Sequence, residues 1–129
     1  MFLVNFSHPI TNEQKSQLET LTGEKVDHIL DCQAPYFTPD QSFSIQTRDL
    51  INQVNLTAKE WQTNPILVNL PAFSVIAALI LAELHGKMGH FPSIIRLREA
   101  ENSTHARYEI AEVINLQNIR NSARSTRIE

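Results

Sequence analysis

The chain has 129 residues and 42% apolar content, so it is expected to be one globular domain with a single layered core. Its formal charge of −3 excludes a protein that coats DNA, which needs many phosphate contacts from Lys and Arg. The charge is uneven: residues 1–64 hold 4 basic and 8 acidic side chains, residues 65–129 hold 7 and 6, and the more basic half suits a small, multiply charged ligand.

Cys32 is the single cysteine, which excludes an internal disulfide and a cysteine-based metal site. The apolar stretch 2–6 is interrupted by Asn5 and ended by Ser7-His8-Pro9, unlike a signal peptide, and a cytoplasmic protein is expected. That stretch reads as a buried strand. Thr11-Asn12-Glu13-Gln14 fits a capping box and opens a helix that Gly23 stops. A second strand is expected over 26–32, then a loop over 33–41 with two prolines. Phe43, Thr47, Leu50, Ile51 and Val54 share one helical stripe over 43–54, and Thr57-Ala58-Lys59-Glu60 is a second capping box that opens a short turn of helix through Trp61.

Residues 66–70 form an apolar run without alternation, as in a strand covered on both faces. The helix expected over 73–85 has no polar face, since Glu83 is its one charged residue between Val75 and Leu84. It is shorter than the roughly 20 residues needed to cross a bilayer. Gly86 is read as its stop and 87–92 as a loop. Strands are expected over 93–99 and 108–114, with a polar turn at 100–107 between them and a closing helix over 115–124. The order β-α-β-α-β-α-β-β-α implies an α/β fold, Rossmann-like, with a mostly parallel sheet and helices on both faces. In such a fold the apolar helix needs a second covering besides the sheet, from a neighbouring helix or from a second subunit. A homodimer through Val75–Leu84 is therefore expected, with Ile80 facing outward.

Ligands of open α/β sheets bind outside the carboxyl ends of the strands. Two polar clusters fall there, Asn5-Phe6-Ser7-His8-Pro9 and Asn69-Leu70-Pro71-Ala72-Phe73-Ser74. Each leads toward a helix start, whose free amides can hold an anion without a glycine loop. With three glycines in all, neither a dinucleotide fingerprint nor a P-loop exists. The same residues have plain structural uses: Ser7 and Ser74 as helix caps, His8 as a turn residue before proline, Asn5 and Asn69 as chain-turning residues. Arg96 and Arg98 on one strand face, and Arg120, Arg124 and Arg127 on the last helix, suit solvated surfaces. The five histidines lie on separate elements without metal-ligand spacing, so no metal and no cofactor is expected. No G-x-S-x-G elbow exists for a serine hydrolase.

The strings Met1-Phe2-Leu3-Val4-Asn5-Phe6-Ser7-His8-Pro9-Ile10-Thr11, Glu60-Trp61-Gln62-Thr63 ahead of Leu67-Val68-Asn69, Ala82-Glu83-Leu84-His85-Gly86-Lys87-Met88-Gly89-His90-Phe91-Pro92 and Val113-Ile114-Asn115-Leu116-Gln117 resemble a small CRISPR-associated accessory family of type III loci. That family is similar to the CRISPR-associated Rossmann fold proteins, which bind cyclic oligoadenylate messengers across a dimer, and to ring nucleases. The resemblance implies that phosphates of cyclic tetra-adenylate sit at the helix starts after Phe6 and Leu70. It further implies that Phe73, Met88 or Phe91 meets the bases, and that Lys87 and His90 close over the ring. Ser7, His8, Asn69, Ser74, Lys87 and His90 are then expected to line one pocket.

Holding and opening the ring are different tasks. Metal-free opening needs in-line attack by the ribose 2′-OH, a proton acceptor and charge stabilisation; His8 is the candidate base, and Lys87 or the backbone amide of Ser74 the candidate stabiliser. Binding that sequesters the messenger asks for less and is placed first, ring cleavage second. A non-catalytic role beside a CRISPR complex, with RNA or protein on the basic half, stands third; neither a membrane nor a long nucleic acid is an expected partner.

Overall fold

The computed structural model describes residues 1–32, 37–101 and 107–128; the first four residues of the 33–41 loop and the central part of the 100–107 turn, with His105, lie outside these ranges. The chain is an α/β fold built on a five-stranded, mostly parallel sheet. β1 (Phe2–Asn5), β2 (His28–Asp31), β3 (Ile66–Asn69) and β4 (Ser93–Glu99) run parallel, and β5 (Tyr108–Asn115) returns antiparallel to β4. The spatial order is β2-β1-β3-β4-β5.

Local chemistry accounts for most of the element boundaries. α1 (Asn12–Thr22) starts on the Thr11–Gln14 capping box and ends at Gly23, whose φ of 71° is left-handed. α3 (Ala58–Thr63) starts on the reciprocal Thr57–Glu60 box. α2 (Phe43–Asn52) precedes it, and α5 (Leu116–Arg124) is capped by the Asn115 side chain, which accepts from the Asn118 amide. α4 (Ser74–Met88) differs from expectation at both ends. Its N-cap is Phe73, with no side-chain hydrogen bond, so Ser74 is not a cap. Gly86 lies inside the helix, and the stop is Gly89, left-handed at φ 82°. A glycine three residues earlier can stay helical; only a left-handed backbone ends the helix, and that conformation falls at Gly89.

Strand alternation sends side chains to two cores. Val4, Phe6, Ile66 and Val68 face α2, α3 and α4, where they meet Ile51, Trp61, Ile76, Ile80 and Leu84. Leu3, Leu67, Ile95 and Ile110 face Leu18 of α1 and Val26. The all-apolar helix is thereby explained. Ile76, Ile80, Leu84 and Met88, four residues apart, form its buried stripe on the sheet, and α2 and α3 pack on its flanks. Ile80 is fully buried, which corrects its expected outward position. What remains outside is a narrower face at Val75, 52% exposed, with Ala78 and Ala82.

One polar atom sits wrongly in this core. Thr47 is fully buried on α2, and its hydroxyl has no hydrogen-bond partner among the described residues. Removing an unsatisfied buried hydroxyl at near-constant shape relieves its desolvation cost. Thr47→Val is expected to raise stability by about 1 kcal/mol in urea denaturation.

Among the described residues, no helix is long and apolar enough to cross a membrane.

Candidate functional site

The strand order fixes where the carboxyl edge of the sheet opens. α1 follows β1 on one face, and α4 follows β3 on the other, so the two chain segments leaving these neighbouring strands diverge. That divergence is the topological switch point of an open parallel sheet, where ligands characteristically sit.

Three strand-final residues stand in one row there, because parallel pairing sets Asn5 beside Asp31 and beside Asn69. Asn5 is fully buried and uses all of its amide. Its Nδ2 donates to Asp31 Oδ1 and to the His8 carbonyl, both at 2.9 Å. Its Oδ1 accepts from Asn69 Nδ2 and from the Ser7 backbone N–H, both at 3.0 Å. The backbone adds Phe6 N to the Asn69 carbonyl (2.9 Å) and Cys32 N to the Asn5 carbonyl (2.7 Å). Asn5 therefore locks the departure of the 7–10 loop and ties three strands at one level. Burial, followed by the neighbouring Asp31 carboxylate, pushes the Cys32 thiol above its ordinary pKa, so it is a poor nucleophile at neutral pH.

A cleft adjoins the row through His8, whose carbonyl accepts from Asn5. Continuing the β3–β4 register from Leu67↔Ser93 puts Ile95 level with Asn69, so residues 96–99 and the start of β5 project past the other strand ends. This overhang and the first turn of α1 enclose about 700 Å³, lined by His8, Ile10, Glu13, Leu97, Arg107 and Tyr108 among others. Three contacts join its walls: Arg107 to Glu13 Oε1 at 2.9 Å, Gln14 Nε2 to the Tyr108 carbonyl at 2.8 Å, and the Ile110 N–H to Gln17 Oε1 at 2.8 Å. The two glutamines also satisfy backbone groups of the outermost strand, where a sheet edge would otherwise stand open.

Across the switch point, the 70–73 loop delivers the amino end of α4. Phe73 is 53% exposed and meets Phe43 edge-on, with ring centroids 5.8 Å apart. Because α4 lacks a side-chain cap, its first-turn amides carry the positive end of the helix dipole with no internal neutraliser.

The residues expected in a single pocket are divided between the two edges of the sheet. Asn5, Ser7, His8, Asn69, Leu70, Pro71, Ala72, Phe73 and Ser74 are all at the carboxyl edge, although Phe6 turns its ring into the core, 1% exposed. Lys87, Met88 and His90 are not there. The fifteen residues of α4 rise about 22 Å and carry them to the opposite edge. Met88 is a core residue, 4% exposed; Lys87 lines grooves beside α2 and α3; His90 lines a separate cleft with Met1 and Ser93. Phe91 meets His85 with the rings tilted 53° and centroids 4.4 Å apart. His8 and Lys87 consequently do not form a pair within one chain. Nor does α1 begin directly after Phe6; the 7–10 loop intervenes, and the capping box already occupies the Gln14 amide.

The sequence reading missed Asp31, Glu13, Arg107 and Tyr108. Asp31 had a usable signal, as the residue ending the second strand, level with Asn5. The other three come together only through the overhanging hairpin. Arg96 and Arg98, expected on a solvated strand face, pair across it with Glu112 (3.0 Å) and Glu109 (2.8 Å). Among the described residues, no three His, Cys, Asp or Glu side chains converge as a metal would require. No protein-family model, curated protein or solved structure matches the chain.

Proposed function

We propose that this chain is a Rossmann-like cytoplasmic protein that binds a cyclic oligoadenylate messenger of type III CRISPR defence, cyclic tetra-adenylate first, and damps signalling by sequestering it. The observation that carries the reading is the carboxyl edge itself: the uncapped start of α4 and the buried Asn5–Asn69 pair meet at the β1/β3 switch point. Phosphates suit the helix start, and the Asn69 amide and nearby backbone groups suit adenine edges. A homodimer through the outer face of α4 would present two such edges to one symmetric ring. Sequestration ranks ahead of ring opening because it asks for fewer groups: His8 and Lys87 stand at opposite edges of the sheet, which leaves the Ser74 amide as the one stabiliser of the two at the edge that carries His8.

Purified protein mixed with labelled cyclic tetra-adenylate is expected to retain the ligand intact in a stoichiometric complex, visible by gel shift and by chromatography of the released nucleotide. Linear products would instead make it a ring nuclease. The absence of any complex would remove the messenger reading. Asn69→Ala, which deletes one amide at the row, is expected to weaken binding roughly tenfold.

A further inference from the structure

The 700 Å³ cleft contains chemistry that the switch-point row lacks. Tyr108 is 57% exposed at its wall, leaving an aromatic ring open to a stacking partner. Arg107 beside it is held by Glu13, and both side chains are more than half exposed, so solvent screens the pair and the guanidinium can exchange partners at small cost. His8 adds a ring with two nitrogens, and Ile10 and Leu97 supply an apolar floor. The cleft volume falls within the range usual for sites that take one small molecule.

An aromatic platform, a guanidinium and an apolar floor together fit a ligand with a flat base at one end and a phosphate at the other. We propose that this cleft holds one adenylate unit, with its base stacked on Tyr108 and its phosphate taken by Arg107, which leaves Glu13 to do so. The proposal rests on the messenger reading for the choice of adenine; the recognition of a nucleotide monophosphate follows from the cleft. The Asn5–His8 hydrogen bond joins the cleft to the switch-point row, so a larger ligand could occupy both.

The two partners of the ion pair make the test specific. Arg107 contributes an attraction to phosphate, whereas Glu13 competes for the same guanidinium and repels the anion. Titrating isotope-labelled protein with 5′-AMP is expected to give saturable amide shifts clustered at Thr11, Leu97 and Tyr108. Arg107→Ala and Tyr108→Ala should each weaken AMP binding about tenfold or more. Glu13→Gln should strengthen it two- to fivefold. A pair that serves only to fasten α1 to the hairpin would make Arg107→Ala and Glu13→Gln act alike. That result, or the absence of saturable shifts at the cleft, overturns the proposal. Cyclic tetra-adenylate, added to the same proteins, separates the two readings. AMP binding in the cleft without messenger binding removes the messenger reading and keeps the cleft. Messenger affinity that is equal in the unaltered protein and all three variants removes the cleft and keeps the messenger.

Discussion

Ile80→Asp is expected to leave no folded protein. Ile80 has no exposed surface and belongs to the apolar cluster of Val4, Val68, Ile76 and Leu84, where a carboxylate would lose its water. Neutralising or hydrating that group costs several kcal/mol, a large share of the roughly 5–15 kcal/mol that holds a domain together. The milder Ile80→Ala should lower stability by about 2–5 kcal/mol through the cavity alone. Circular dichroism melts read both variants. Val75→Asp provides the contrast on the same helix. Val75 is 52% exposed, so a charge there stays hydrated and the monomer should melt within about 0.5 kcal/mol of the parent. If the outer face of α4 joins two subunits, Val75→Asp halves the mass seen by light scattering at micromolar concentration. An unchanged mass would mean that this face is not the interface.

Asn5→Ala is the second large effect, and it should strike stability and binding together. The substitution deletes four hydrogen bonds at once, and the Asn69 amide that loses its acceptor belongs to a residue only 4% exposed. A stranded buried polar group costs about 1–3 kcal/mol, so the total should be about 2–4 kcal/mol, a fall in Tm of roughly ten degrees. The 7–10 loop loses two of its anchors in the same step, so retention of cyclic tetra-adenylate should drop even where the protein remains folded. Asn5→Asp preserves the shape but sets a carboxylate against Asp31 at a former hydrogen-bond distance. It should be less stable than Asn5→Ala at pH 7 and recover as acid protonates one of the two groups. Equal melting of the two variants across that range would show that the Asn5–Asp31 contact adds little.

By itself the sequence determined what is decided within a few residues or by the order of elements. Both capping boxes, at Thr11 and Thr57, formed as reciprocal hydrogen bonds, because each needs only a hydroxyl and a carboxamide or carboxylate three residues apart. The alternation of strands and helices brought Asn5 and Asn69 to one edge, since parallel strands all end on the same side of their sheet. The direction of Ile80 was not legible, because a helix apolar on every side has no phase to read; contacts with β1, β3, α2 and α3 chose the buried stripe. Lys87 and His90 stand at the opposite edge because the helix between two parallel strands must return the chain to the amino ends of the strands, whichever of Gly86 and Gly89 stops it; the order of elements already implied this. The Arg107–Tyr108 cleft lay furthest from view. It depends on the length by which β4 passes its neighbours and on an irregularity opposite Arg96 and Leu97, where β5 skips Ala111 and brings Ile110 and Val113 to the same face. Neither has a local residue code. Both follow from how the hairpin packs against α1, so tertiary contacts alone decided where the cleft would open.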